Sequence, residues 1–423
     1  MCYSIPMNGG VFVKRSQEKL HRAWLVCLGC SISLATVMGL GVNAFTVYQP
    51  WILEVNGFPN AFGSWITTVR SLFALLAMVT VDRLCRRLGL RTTMTLGMAC
   101  FAASCVLFST AGASFLVYCQ AAALSGLAYG FGGMIPLTLV ISQWFQGRRG
   151  LALGLAAAGS GVTTILAPPL LSMLIVGRGL SFAFLAEGAA AWGLTLLVFF
   201  LVRDTPQEMG LEPYGLQDGS HSAPIRVKPK NLTRPMWWGA FLACFFIGGP
   251  SGPGFSHLTV LYTASGYPPM LTALLMSYVG LVLMAGKVLY GGLVDSRGSR
   301  WANRMVFLVF LAGFLLNCLA PLQNMFLAFA AVTATGLGLP ISSVTLSVWA
   351  GDLSGQEDYD RTVKWFTSAY MLGSLVTGPI PGLMADHLGS YVPAYFLFAV
   401  LTALAMAIIQ GLYRRLHLGL LPK

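Results

Sequence analysis

Lys287 stands where a lysine is hardest to keep. In "YVGLVLMAGKVLYGGLVDSRGSR" (278–300) everything before Asp295 is apolar or small except this one ammonium. Eight residues separate it from Asp295, which at 1.5 Å per residue puts it about 12 Å inside the helix end. The apolar layer of a bilayer is about 30 Å thick, so that depth is near its middle. A lysine at such a centre costs about 3 kcal/mol on insertion scales. The cost is normally tolerated only when the group faces water, a partner or a ligand, and the depth disfavours snorkelling to the interface. A second deep cation, Arg70 in "SWITTVRSLFALLAM", lies twelve residues before Asp82. It reads either as a structural pair with Glu187 or with helix carbonyls, or as a second anion contact. Glu187 in "SFAFLAEGAAAW" is the acidic residue placed well inside an apolar segment. Burial penalises a carboxylate's charge and a nearby cation restores it. Glu187 is therefore a candidate proton carrier, or a permanent counter-ion for Arg70. His257 closes "IGGPSGPGFSH", a run too rich in Gly and Pro for an unbroken helix. Broken helices at membrane depth line cavities, so His257 is expected at one. Tyr48, Tyr129 and Tyr370 are candidate hydroxyl donors to a carboxylate, although aromatic side chains here serve more often as packing.

The elements that must hold these residues are membrane helices. The chain has 423 residues, 56% hydrophobic and 9% charged. A soluble domain carries about 25% charged residues, so most of this surface must face lipid. Twelve apolar segments are expected, at 24–49, 60–81, 92–111, 113–143, 151–176, 180–202, 237–263, 269–293, 303–320, 322–350, 363–384 and 392–412. Each must be helical, because lipid offers the backbone no partner. With both termini cytoplasmic, all but three of the 26 basic residues fall on the inner side. The exceptions are Arg178, in an outer loop, and the buried Arg70 and Lys287. That agrees with the positive-inside rule and makes the net charge of +12 a topology signal, with no nucleic-acid partner implied. The nine cysteines form no disulfide framework, and Cys27–Cys30 reads as helix packing.

The domain organisation expected is a six-helix half at 1–202, a cytoplasmic central loop at 203–236 and a second six-helix half at 237–423. The "NLT" sequon at 231–233 lies on the inner side and should be silent. The halves repeat. "NGFPNAFGSW…VDRLCRRLGLR" (56–91) parallels "SGYPPMLTAL…VDSRGSR" (265–300), with four more residues before the second aspartate. "AAAGSGVTTILAPPL" (156–170) parallels "YMLGSLVTGPIPGLM" (370–384). Parallel repeats of this kind point to a transporter with its site at midplane between the halves.

Over nearly its full length the chain resembles the major facilitator superfamily. "VDRLCRRLGLR" (81–91) and "GGLVDSRGSR" (291–300) resemble its loop signature, although the first copy has Met78 where a glycine is usual. Within that superfamily, "WFQGRRGLALGLAAAGSGV" (144–162), "DTPQEMGLEPYG" (204–215) and "HLTVLYTASGYP" (257–268) resemble the monocarboxylate transporter and oxalate:formate antiporter group. The resemblance implies a helix 8 cation, eight positions before the loop aspartate, that binds a substrate carboxylate. That position is Lys287. It keeps the charge but loses arginine's bidentate fork. Helix 11, "FTSAYMLG" (366–373), lacks the lysine of dianion carriers, and "LVLMAGKVLYGG" (281–292) lacks the acidic neighbour of proton-coupled animal members.

Asp82 with Arg83, and Asp295 with Arg297, are expected as conformational gates at the inner surface, made and broken during alternating access. No phosphate-binding loop, HExxH or Cys/His metal set is present. No cofactor and no enzymatic activity is therefore expected. The expected function is secondary transport of small organic anions, monocarboxylates or dicarboxylates, by exchange or proton symport. The partners expected are a small carboxylate, the lipid bilayer and either a proton or a counter-anion, with a functional monomer in a plasma membrane, taken as a bacterial inner membrane. A drug exporter of the same fold is disfavoured by the positive cavity. A membrane receptor is disfavoured by the absence of a signalling domain.

Overall fold

The computed structural model describes residues 21–145, 149–215, 229, 232–355 and 358–418. Asn231 of the sequon and most of the basic cluster of the central loop lie outside them. Twelve helical rods run through the described residues. They are α1 (Arg22–Asn56), α2 (Asn60–Leu88), α3 (Leu90–Thr110), α4 (Phe115–Trp144), α5 (Arg149–Arg178), α6 (Leu180–Leu201), α7 (234–264), α8 (Pro269–Arg297), α9 (Ser299–Asn317), α10 (Met325–Ser354), α11 (359–388) and α12 (Val392–Arg415). Ten of them are long and apolar enough to cross a membrane. The other two, α7 and α11, are interrupted. In α7 a π-helical turn at Pro250–Gly254 precedes a break at His257, because Pro250 and Pro253 bring no N–H to the helix ladder. In α11 the break is at Gly378–Pro379.

The first rod is longer than the sequence suggests. It continues through Pro50 to Asn56 and ends where Gly57 takes a left-handed φ of 63°. Its middle, Ala35–Ala44, is also π-helical.

Helix packing relies on missing side chains. A Cβ on Gly373 would collide with the Phe245 carbonyl, and one on Gly248 with the Tyr370 carbonyl, so α7 and α11 lie backbone to backbone. Of the central loop, "DTPQEMGLEPYG" folds back under the first six rods. The Asp204 carboxylate accepts the Arg91 N–H at 2.5 Å and caps α3. The Trp144 indole N–H donates to the Arg203 carbonyl at 2.9 Å.

The α2 and α8 rods are built alike. Each has 29 residues, a proline before its first residue and a positive-φ glycine after its last. Their packing also matches: a Cβ on Gly126 would meet the Arg70 carbonyl, and one on Gly336 would meet the Val279 carbonyl. Arg70 and Val279 thus hold equivalent places. The repeat read through the two loop aspartates has four extra residues, whereas the packing has none. The mismatch is absorbed at the helix ends, since Asp82 stands six residues before the end of α2 and Asp295 two before the end of α8.

Candidate functional site: a cavity between the two sets of helices

A cavity of about 400 Å³ separates rods of the first six helices from rods of the last six. The α5 and α8 rods touch at one level, where Gly161 meets Met284 and Gly280 meets Thr164. Toward the end of the bundle where α1 begins and α12 ends, Gly154 and Gly291 have nothing beside them. The two rods therefore splay on that side, and Lys287 sits just beyond the last contact. The cavity wall carries Arg70, Tyr129, Lys287 and Tyr370 together. Seven serines, Ser71, Ser160, Ser251, Ser256, Ser342, Ser343 and Ser374, add polarity to a lining that is mostly apolar. Among the described residues, none that lines the cavity is Asp or Glu.

Lys287 is half-buried, with no acidic partner among the described residues. Arg70 is 7% exposed and donates one hydrogen bond, from Nη1 to the Gly41 carbonyl at 3.1 Å, in the π-helical part of α1. Its guanidinium lies 5.0 Å from the centre of the Phe45 ring. The sequence left Glu187 open as its counter-ion. No ion pair joins them among the described residues; Arg70 is held by a helix carbonyl and an aromatic face.

Three expected site residues lie off the cavity. Tyr48 is fully buried and stacked on Phe184 at 4.0 Å, with its hydroxyl beside Glu187. Glu187 is buried in the packing of α6 on α1 and α3, since Gly188 next to it meets Cys105. His257 is fully buried, with both ring nitrogens taken. Nδ1 faces the Pro253 carbonyl at 2.9 Å and Nε2 faces the Ser64 hydroxyl at 2.8 Å. A carbonyl can only accept, which assigns the ring proton to Nδ1. Ser64 then donates to His257 and itself accepts the Gly382 N–H at 2.8 Å. Its neighbour Ser251 does line the cavity, and its buried hydroxyl has no partner. The Gly/Pro-rich stretch flagged the break in α7, but nothing in it singled out Ser251 over His257.

A family model for the Major Facilitator Superfamily matches residues 31–316. The chain belongs to that superfamily. Similar full-length relatives include an MFS-type transporter of Aspergillus fumigatus, 22% identical over 95% of this chain and 94% of the relative. Monocarboxylate transporter 12 of Xenopus laevis is 22% identical, covering 90% of this chain and 88% of the relative. Among solved structures, a D-xylose–proton symporter matches with a TM-score of 0.68 at 13% identity, over 91% of this chain and 96% of that one. These relatives are a fungal and a frog protein, so they lend no support to a bacterial inner membrane.

The contacts between the two helix sets differ at the two ends of the bundle. At the end away from the termini, Asp386 of α11 caps α2. It accepts the Asn60 and Ala61 N–H groups and the Asn60 amide at 2.7–2.9 Å. The Tyr391 hydroxyl donates to Asn60 Oδ1 at 2.8 Å, and the Ser64–His257–Gly382 chain lies just beneath. At the end bearing the termini, Lys364 pairs with Asp82 at 2.6 Å, with side chains 61% and 36% exposed. Arg83 is exposed, and the Arg297 guanidinium lies over Trp301 at 4.6 Å. Asp295 is in the last turn of α8, but its side chain falls outside the described residues.

The two ends should respond differently. Losing an exposed ion pair costs about 0–1 kcal/mol, whereas removing a helix-capping carboxylate costs about 1–2 kcal/mol. Asp386→Ala is therefore expected to raise opening of the far end about ten-fold. Lys364→Gln should change the opposite end by less than five-fold. Thiol labelling of cysteines placed in each vestibule would measure both, and equal labelling of Asp386→Ala and wild type would refute the latch.

Proposed function

We propose that this transporter carries small organic anions, carboxylates in the first place, by alternating access. The observation behind this reading is Lys287: a cation near the middle of a membrane helix, on the wall of the cavity between the helix sets, without an acidic partner among the described residues. An uncompensated charge in a low-dielectric site is costly, and an arriving carboxylate removes part of that cost. Arg70 on the opposite wall adds to the same positive field. A relative named for monocarboxylates is in keeping with this chemistry.

The energetics favour anion exchange. Reorienting with an empty, positively charged site is harder than reorienting with a bound anion. A proton symporter needs a titratable acid or imidazole facing the site, and among the described residues the cavity wall carries neither carboxylate nor imidazole. Uptake of radiolabelled mono- and dicarboxylates into proteoliposomes tests the reading, with and without internal counter-anion and with and without a pH gradient. Uptake driven by counter-anion is expected. Uptake that follows the pH gradient alone would replace exchange with symport, and absence of uptake for every acid would end the carboxylate assignment.

A further inference from the structure

We propose that the cavity takes an elongated organic acid with an anionic group at each end and an apolar middle, Lys287 holding one end and Arg70 the other. This rests on the reading of Lys287 as an anion anchor and adds a length and a second anchor to it. The two cations stand on opposite walls at different depths. The packing equivalence of Arg70 with Val279 sets a common ruler for α2 and α8. Lys287 lies eight residues beyond Val279 along α8, about 12 Å further toward the terminal end at 1.5 Å per residue. Because α2 and α8 run in the same direction, both side chains lean toward the same end, the start of their helices. The lean therefore shifts both tips alike and does not close the gap. A two- or three-carbon acid touching Lys287 leaves Arg70 unneutralised.

The wall fits such a ligand. The same wall presents Met38, Phe255, Leu283, Met284 and Met371, which suit a methylene chain. The volume of about 400 Å³ falls in the range of sites for ligands well above the size of formate or lactate. With no Asp or Glu among the described lining residues, both positive charges are left for the substrate to neutralise. Arg70 is buried yet makes a single protein hydrogen bond, leaving most of its five N–H donors available.

A chain-length ladder of α,ω-diacids decides the matter. Uptake by the full-length transporter in proteoliposomes would be measured for oxalate, succinate, adipate, suberate and sebacate, with octanoate as the monoacid matched to suberate. Affinity is expected to rise from oxalate to suberate, with suberate at least ten-fold better than octanoate. Arg70→Gln should collapse that ratio to about one, and Arg70→Lys should keep most of it. If oxalate matches suberate, or if octanoate equals suberate in the wild type, the two-ended site is wrong. Those wild-type comparisons stand even where Arg70→Gln fails to fold. An outcome in which Lys287→Gln leaves all uptake intact would overturn the anion anchor itself. Loss of all uptake in Lys287→Gln, with suberate and octanoate equal in wild type, would overturn the second anchor alone.

Discussion

Lys287→Gln is expected to cut carboxylate uptake by about a hundred-fold or more. Truncating one partner of a desolvated, charge-assisted contact costs about 2–5 kcal/mol, and each 1.4 kcal/mol is a factor of ten. The glutamine is one bond shorter, keeps a hydrogen-bonding group near Met284 and removes the charge, so the protein should fold normally. Lys287→Arg should retain activity, because the charge stays on the same wall and gains a bidentate fork. A fall confined to Lys287→Gln, with normal expression and a normal melting midpoint, identifies an electrostatic role in binding. Equal loss in Lys287→Arg would point to steric requirements in place of charge. Unchanged uptake in Lys287→Gln would leave the superfamily fold without an anion site at this position.

Gly373→Leu is expected to be the most damaging single change in the packing. The α7 and α11 backbones approach so closely that even a Cβ at this position meets the Phe245 carbonyl. That neighbour is backbone, so it cannot rotate away as a side chain would. Overpacking of this kind costs about 3 kcal/mol, and more where the backbone itself must move. Tyr370 lies three residues away, and its carbonyl is the atom against which Gly248 packs. Separating the helices would therefore displace a cavity wall residue as well. The measurement is thermal midpoint in detergent by fluorescence-detected size exclusion. A large drop, or loss of the monodisperse peak, is expected. Gly193→Leu is the control, because Gly193 has open space around it. Equal behaviour of the two variants would show that the close approach carries no energetic weight.

The membrane architecture was written in local sequence. Apolar runs of spanning length determine which segments are helices. That information needs no tertiary contact, because lipid forces each run to satisfy its own backbone. The break in α7 was equally local, since two prolines and four glycines within Gly248–Gly254 cannot sustain an α-helical ladder. Depth along a helix is also local, which is why Lys287 and Arg70 stood out before any fold was known.

Direction around a helix axis is set by neighbours, and there only the tertiary structure could decide. Glu187 and Arg70 are both deep, yet Glu187 turns into the packing of α1, α3 and α6 while Arg70 turns to the cavity. Tyr48 and Tyr129 are chemically alike; stacking on Phe184 puts the first in the core, and the second is on the cavity wall. His257 and Ser251 share one broken stretch, but the Ser64 hydroxyl from the other helix set claims the histidine and leaves the serine on the wall. The latch of Asp386 on α2 joins residues more than three hundred positions apart. Nothing in either local sequence encodes it. It exists because two helix ends, each with unpaired N–H or carboxylate groups, are brought together when the bundle closes.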